Sequence, residues 1–222
     1  MNSKYAALLM MKSKLFSGFS FEECVFLKKV LKPVEKTYKK KAIIYHEGDE
    51  ISSIGMILRG QVIGEKFCRD GSRPHLVHTF GPKDVIGLET ILSSGKESPI
   101  TYAAQEEVNM LCFPYALLAE NEYISIIQRL KIMENISRNL ADENIKNMYK
   151  LEVLSKRALR SRILTFLSIM ERKTGEKEFS IGMDREQFAQ YLCVNRSSLS
   201  YELGQMQKEG LIVLNKDWCT LL

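Results

Sequence analysis

The chain has 222 residues, 45% of them hydrophobic, with 32 Lys and Arg against 27 Asp and Glu. That length suits two small domains or one large one, and a net charge of +5 is too small to name a partner by itself. The longest unbroken apolar run, "YAALLMM" from Tyr5 to Met11, is far short of a membrane span, and five scattered cysteines (Cys24, Cys68, Cys112, Cys193, Cys219) argue against a disulfide framework or a tight metal cluster.

A cytoplasmic setting follows as an expectation, because "KSK" at Lys12 to Lys14 also interrupts the layout of a secretion signal. Residues 1 to about 32 read as helical. In "SFEECVFLKKVL" Ser20 stands as N-cap with Glu23 three residues later, the capping-box arrangement, and Pro33 ends the helix. From Val34 to about Pro114 glycines punctuate short β-forming runs: "AIIYHE", "IGMILRGQVIGEKF", "HLVHTF", "DVIGL", "ITYAAQ" and "VNMLCF". That spacing predicts a compact antiparallel β-roll, with "CRDGSR" as a hairpin signal.

From Tyr115 to about Leu154 glycine and proline vanish, which predicts a long helix. Leu130, Met133, Leu140, Leu151 and Leu154 fall on a near-heptad seam starting at Ile126; Ile132, Ile136, Ile145 and Met148 lie on another side. One side faces the β-roll and the other suits a second copy across a two-fold axis, giving a homodimer through Leu130, Met133, Leu140 and Leu151. A core helix packed within one subunit is the competing reading.

"SKRALRSRILTFLSIMERKTG" reads as a further helix, with Ser155 as cap and Gly175 as stop. Charge is uneven: residues 42–114 carry six basic against ten acidic groups, and residues 155–222 carry eleven against eight. A phosphate partner is repelled by the first stretch and drawn to the second.

"SIGMDREQFAQYLCVNRSSLSYELGQMQKEGLI" divides into two helices around the turn "CVN". Asp184 caps the first, with Gln187 in the capping-box place; Phe188, Ala189 and Leu192 form its buried side, and Val194 plugs the space between the helices. Asn195 caps the second, whose Leu199, Leu203 and Met206 face inward. Arg196, Ser197, Ser200 and Tyr201 are left outward on the first turns, where a DNA-reading helix enters the major groove. Arg196 suits guanine N7 and O6, Ser197 and Ser200 allow close approach, and Tyr201 reaches a phosphate or a thymine methyl. Asn195 and Ser198 are placed for the DNA backbone, and Arg185, the first residue of the first helix, is a further DNA-binding candidate. "GLIVLNKDWCTLL" reads as a two-stranded wing around Asn215-Lys216-Asp217. A plain helical hairpin with solvated Arg and Ser is the alternative.

Taken in order, "LFSGFSFEEC", "IIYHEGDEISSIGMILRGQVIGEKF" with Gly48-Asp49 and Gly60, "RSRILTFL" and the helix-turn-helix resemble the Crp/Fnr family of bacterial transcription regulators over nearly all residues. The resemblance implies an α+β fold with a cyclic-nucleotide-binding-type β-roll with its N-terminal helices (1–114), a long dimerisation helix (115–154) and a winged helix-turn-helix (155–222). It also implies a homodimer on a palindromic double-stranded operator, in contact with RNA polymerase.

One departure stands out. Relatives that bind cyclic AMP carry a Gly-Glu pair and, eleven residues after the Gly, an Arg for the phosphate; here Gly87 is followed by Leu88, and the Arg position is Ser98. An effector other than cyclic AMP, seated among Gly87, Leu88, Glu89, Ser98, Pro99 and Asn147, or none at all, is therefore expected. Iron–sulfur members carry an N-terminal cysteine cluster where only Cys24 stands, and His46, His75 and His78 read as surface histidines rather than haem ligands. No metal or cofactor is expected. A regulatory module acting on a protein partner is the second class. An enzyme is not expected, since no P-loop, nucleophile elbow or paired catalytic carboxylates are present.

Overall fold

The computed structural model describes residues 3–66, 75–215 and 218–222. It divides into two compact units, up to Asp142 and from Glu143 onward, each with its own core.

The first unit opens with α1 (Ser3–Met11) and α2 (Phe21–Leu31). The capping box forms as the sequence suggests: the Glu23 amide donates to Ser20 Oγ at 3.2 Å, and the Ser20 amide donates to the Glu23 carboxylate at 2.7 Å. Lys32 turns left-handed at φ 44° just ahead of Pro33 and stops the helix.

The β-roll follows as β1 (Val34–Tyr38), β2 (Ile43–Tyr45), β3 (Ser53–Arg59), β4 (Val62–Lys66), β5 (His75–Phe80), β6 (Val85–Ile86), the one-turn helix α3 (Leu88–Ile91), β7 (Thr101–Ala104) and β8 (Val108–Pro114). Two four-stranded antiparallel sheets result, in the orders β1-β8-β3-β6 and β2-β7-β4-β5. Ile51, Ile57, Val62, Ile86, Tyr102, Val108 and Met110 form a core cluster of the roll. Gly60 (φ 88°) separates β3 from β4, and a Cβ there would sit 2.3 Å from the Glu107 carbonyl oxygen, so only glycine fits. The hairpin signal at 68–73 lies outside the described residues.

The stretch read as one helix from Tyr115 is broken into α4 (Tyr115–Glu120) and α5 (Ile126–Leu154). Asn121 Oδ1 accepts the Tyr123 amide at 2.9 Å, and Ser125 and Gln128 exchange side-chain-to-amide bonds at 3.2 Å, which restarts the helix. On α5, Ile132 and Ile136 are buried in the first core, and the Asn135 amide ties the helix to the Leu15 and Ser17 carbonyls at 3.1 and 2.9 Å.

The boundary between the units falls inside α5, whose Val153 belongs to the second core. That unit continues with α6 (Leu159–Thr174), β9 (Glu178–Ser180), α7 (Arg185–Tyr191), α8 (Arg196–Lys208), β10 (Ile212–Asn215) and β11 (Trp218–Leu221). The strands form one antiparallel sheet in the order β10-β11-β9. Ser155 does not cap α6, as the sequence reading had it. Its hydroxyl donates to the Glu152 carbonyl at the end of α5, and Ala158 takes the cap position without a side-chain bond. Gly175 (φ 73°) stops α6 as expected.

Candidate nucleic-acid interface

The helix pair of the second unit is set by local chemistry at each end. Asp184 Oδ1 accepts the Gln187 amide at 2.8 Å and Gln187 Oε1 accepts the Asp184 amide at 3.0 Å, so α7 starts where its capping box dictates. It ends at Tyr191 with Leu192 as C-cap; Cys193 then adopts φ 56°, and the Val194 amide returns to the Ala189 carbonyl at 3.0 Å. Three residues thus reverse the chain. Val194 packs on the core as the plug the sequence calls for.

Asn195 holds the N-cap position of α8 with extended backbone, and its carbonyl accepts the Leu199 amide at 3.1 Å. Its side chain does not cap, contrary to the sequence reading, and Asn195 is exposed. Leu199, Leu203 and Met206 are buried on Phe188, Ala189 and Leu192, and the Phe166 and Phe188 rings lie 4.8 Å apart beneath them. With one face committed, helical periodicity leaves the other outward. Arg196, Ser197, Ser198, Ser200 and Tyr201 are all exposed on the first two turns, Tyr201 to 68%.

Arg185 is half-buried at the start of α7, and its charge offsets part of the rise that burial imposes on the Cys219 thiol of β11, which is pushed up to about 11. The wing strands pair as expected, Asn215 opposite Trp218; the turn residues Lys216 and Asp217 lie outside the described residues. Chemically this is a rigid platform presenting one guanidinium, short hydroxyls and a phenol at a helix start, a donor set matched to base edges and phosphate oxygens. Arg160 and Arg162 of α6 also reach the helix pair. The sequence reading gives them no role, because their partners lie 30 to 49 residues away.

Five of the six residues expected to line an effector pocket belong to the β-roll. Gly87 (φ 86°) opens α3, and Leu88 is buried. Ser98, at the position where the resemblance puts a phosphate-binding Arg, is 2% exposed and donates its hydroxyl to the Ile100 carbonyl at 2.6 Å. Its backbone bonds Gly48 and Asp49, each at 2.8 Å. The Glu89 carboxylate accepts the hydroxyl of the buried Tyr102, and the Pro99 carbonyl accepts Lys66 Nζ at 2.9 Å. Asn147 is exposed and lies in the other unit. Burial, aided by Glu23 and offset by Lys131, raises the Cys24 thiol to about 11, which suits a core residue rather than a metal ligand. His78 sits on β5 with its ring 5.7 Å from Phe80.

The seam on α5 is divided. Leu130 and Leu151 are exposed, to 63% and 67%, while Met133 and Leu140 pack partly on the first core. Ile145 and Met148, read as lying on the side with Ile132 and Ile136, are exposed instead. The residues of α5 that belong to the first core end at Leu140, ahead of both.

Two family models match the chain. One is the cyclic nucleotide-binding domain, over residues 35–120, and the other is the Crp-like helix-turn-helix domain, over residues 161–222. Regulatory protein HlyX of Actinobacillus pleuropneumoniae is 24% identical over 84% of this chain and 77% of its own length. Electron transport regulator A of Shewanella oneidensis is 27% identical over 80% of this chain and 70% of its own. Among solved structures, the c-di-GMP responsive global regulator CLP of Xanthomonas campestris shares the fold with a TM-score of 0.67 at 14% identity, covering 88% of this chain and 97% of that one. The Thermus thermophilus catabolite activator protein does so with a TM-score of 0.53 at 21% identity, covering 95% and 94%.

Proposed function

We propose, from the premise that the chain belongs to the Crp/Fnr family of DNA-binding transcription regulators, that it works as a cytoplasmic homodimer reading a palindromic operator through α8. The observation that carries this is the exposed row Arg196, Ser197, Ser200 and Tyr201 on a helix whose opposite face is buried. Asn195, Ser198 and Arg185 hold the DNA backbone. Two copies meet along α5 through Leu130 and Leu151, with Met133 and Leu140 at the margin, which sets the half-site centres about 34 Å apart. Contact with RNA polymerase follows from the family. Selection from a random double-stranded DNA pool, with purified protein and no added effector, tests the reading: a two-fold palindrome is the expected product, and no enrichment by a folded dimer counts against unaided binding. Leu130→Asp should convert dimer to monomer in sedimentation; an unchanged sedimentation coefficient would remove the seam.

The effector, in this reading, is a small molecule other than cyclic AMP. Leu88 and Ser98 replace the charged pair that the family uses for the nucleotide, and the Ser98 hydroxyl is already bonded within the chain. One observation favours a reading in which no effector is needed: one oxygen of the Glu89 carboxylate already accepts the Tyr102 hydroxyl within the chain. Native mass spectrometry after incubation with cyclic AMP should show no adduct in either case.

A further inference from the structure

Helix α6 carries the triplet Arg160-Ser161-Arg162, and both cations brace the helix-turn-helix from α6. Arg160 Nε donates to Glu202 Oε1 at 2.5 Å, while Nη1 and Nη2 donate to the two carboxylate oxygens of Glu209 at 2.6 and 2.9 Å. Glu202 and Glu209 are seven residues apart, which puts them on one face of α8, and Glu209 is its C-cap. One planar fork therefore spans two turns of the helix. Glu202 directly follows Tyr201, so the bond acts where the outward row ends. Arg162 holds the other helix: Nη1 donates to the carbonyl of Leu192, the C-cap of α7, at 3.0 Å, and Nε donates to the Lys156 carbonyl at 2.8 Å.

Half-exposed ion pairs add little to stability, and two carboxylates on a DNA-reading helix repel phosphate. What the fork does supply is geometry. Parallel guanidinium–carboxylate bonds fix direction as well as distance, which a lysine cannot reproduce. We propose that Arg160 is a positioning residue for recognition: through Glu202 and Glu209 it sets the roll and tilt of α8 on α6, and so decides how sharply Arg196, Ser197, Ser200 and Tyr201 discriminate between sequences. The proposal rests on the DNA-reading function proposed above.

The test compares binding of the full-length protein to its selected operator and to a scrambled duplex, by fluorescence anisotropy over a range of salt. Arg160→Lys keeps the charge and loses the fork. Glu202→Gln with Glu209→Gln keeps side-chain size and removes both negative charges. Each is expected to cut the ratio of specific to non-specific affinity by roughly tenfold, with the salt slope on the scrambled duplex unchanged for Arg160→Lys. If the three groups are only surface charge, the double Gln variant shifts in the opposite sense: it binds both duplexes more tightly and keeps the ratio. That result, or an unchanged ratio in Arg160→Lys, overturns the proposal. Should Arg160→Lys fail to fold, the near-isosteric double variant still decides. A wild-type chain that discriminates no sequence fails earlier, at the DNA-reading premise, and takes the proposal with it.

Discussion

Two regions of this molecule, the segment around α3 and the start of α8, place their polar residues differently. Around α3, Ser98 donates to Ile100, Glu89 accepts from Tyr102, and the Ser98 backbone is bonded on both sides. At the start of α8, Arg196, Ser197, Ser198, Ser200 and Tyr201 are exposed and the Asn195 side chain does not even cap its own helix. Polar groups that find partners inside the chain fix the fold. Those held out on a rigid face are free to choose among ligands. The contrast separates a segment whose polar groups are largely engaged within the fold from one whose polar groups stand outward.

The largest way to break the contrast is to loosen the platform. Leu203→Ala removes a buried side chain between α8 and the second core, and should cost about 2–5 kcal/mol of that unit's stability. Urea unfolding followed through Trp218, the chain's one tryptophan, measures it. A loss well under 1 kcal/mol would mean that the buried face does not hold α8. Next in size, Arg196→Ala should cost about 1–3 kcal/mol on the operator and relax preference at one base pair per half-site. Equal loss on all sequences would make Arg196 a phosphate contact. Smaller again, Tyr102→Phe deletes the bond to Glu89 and should cost about 1 kcal/mol of stability in the first unit. No loss in Tyr102→Phe would show that the α3 segment is less committed than its bonds suggest.

Much of this was legible in the sequence because the signals were local. Ser20 with Glu23 and Asp184 with Gln187 each form the box that their spacing announces. The glycine-punctuated runs become strands, and the inward row Leu199, Leu203, Met206 leaves Arg196, Ser197, Ser200 and Tyr201 outward by helical period alone. The failures were of two kinds. Weak local signals lost to stronger ones nearby: no glycine or proline marks the break before Ile126, yet Ser125 and Gln128 restart the helix, and Ser155 had a closer carbonyl at Glu152. Long-range pairings carried no signal at all. Nothing in the sequence joins Arg160 to residues 42 and 49 positions later, or Tyr102 to Glu89. Leu140, which the seam offered as a dimer residue, also supports the first core, so Leu130 is the cleaner site for a charge.

The smallest expected effect is chemical and separates committed from free groups at single-residue level. Cys24, Cys112 and Cys219 are buried, while Cys193 is exposed in the turn between α7 and α8. Burial is the leading cause of the rise in the Cys24 and Cys219 thiols, from 9.0 to about 11. Only the thiolate reacts, so at pH 8 about one in a thousand of these groups is in reactive form even before access is counted. Iodoacetamide at that pH, mapped by mass spectrometry, should label Cys193 and leave Cys24 and Cys219 unmodified. Labelling of those two should climb about tenfold per pH unit toward 11. The sign for stability follows from the same shift. The folded state keeps these protons more tightly than the unfolded chain, so their contribution is whole below pH 9 and is lost as pH rises from 9 toward about 11. Equal labelling of Cys24 and Cys193 at pH 8 would mean that the helix-capped core at the start of the chain opens as readily as the turn between α7 and α8, and the contrast between committed and available regions would fail at its simplest point.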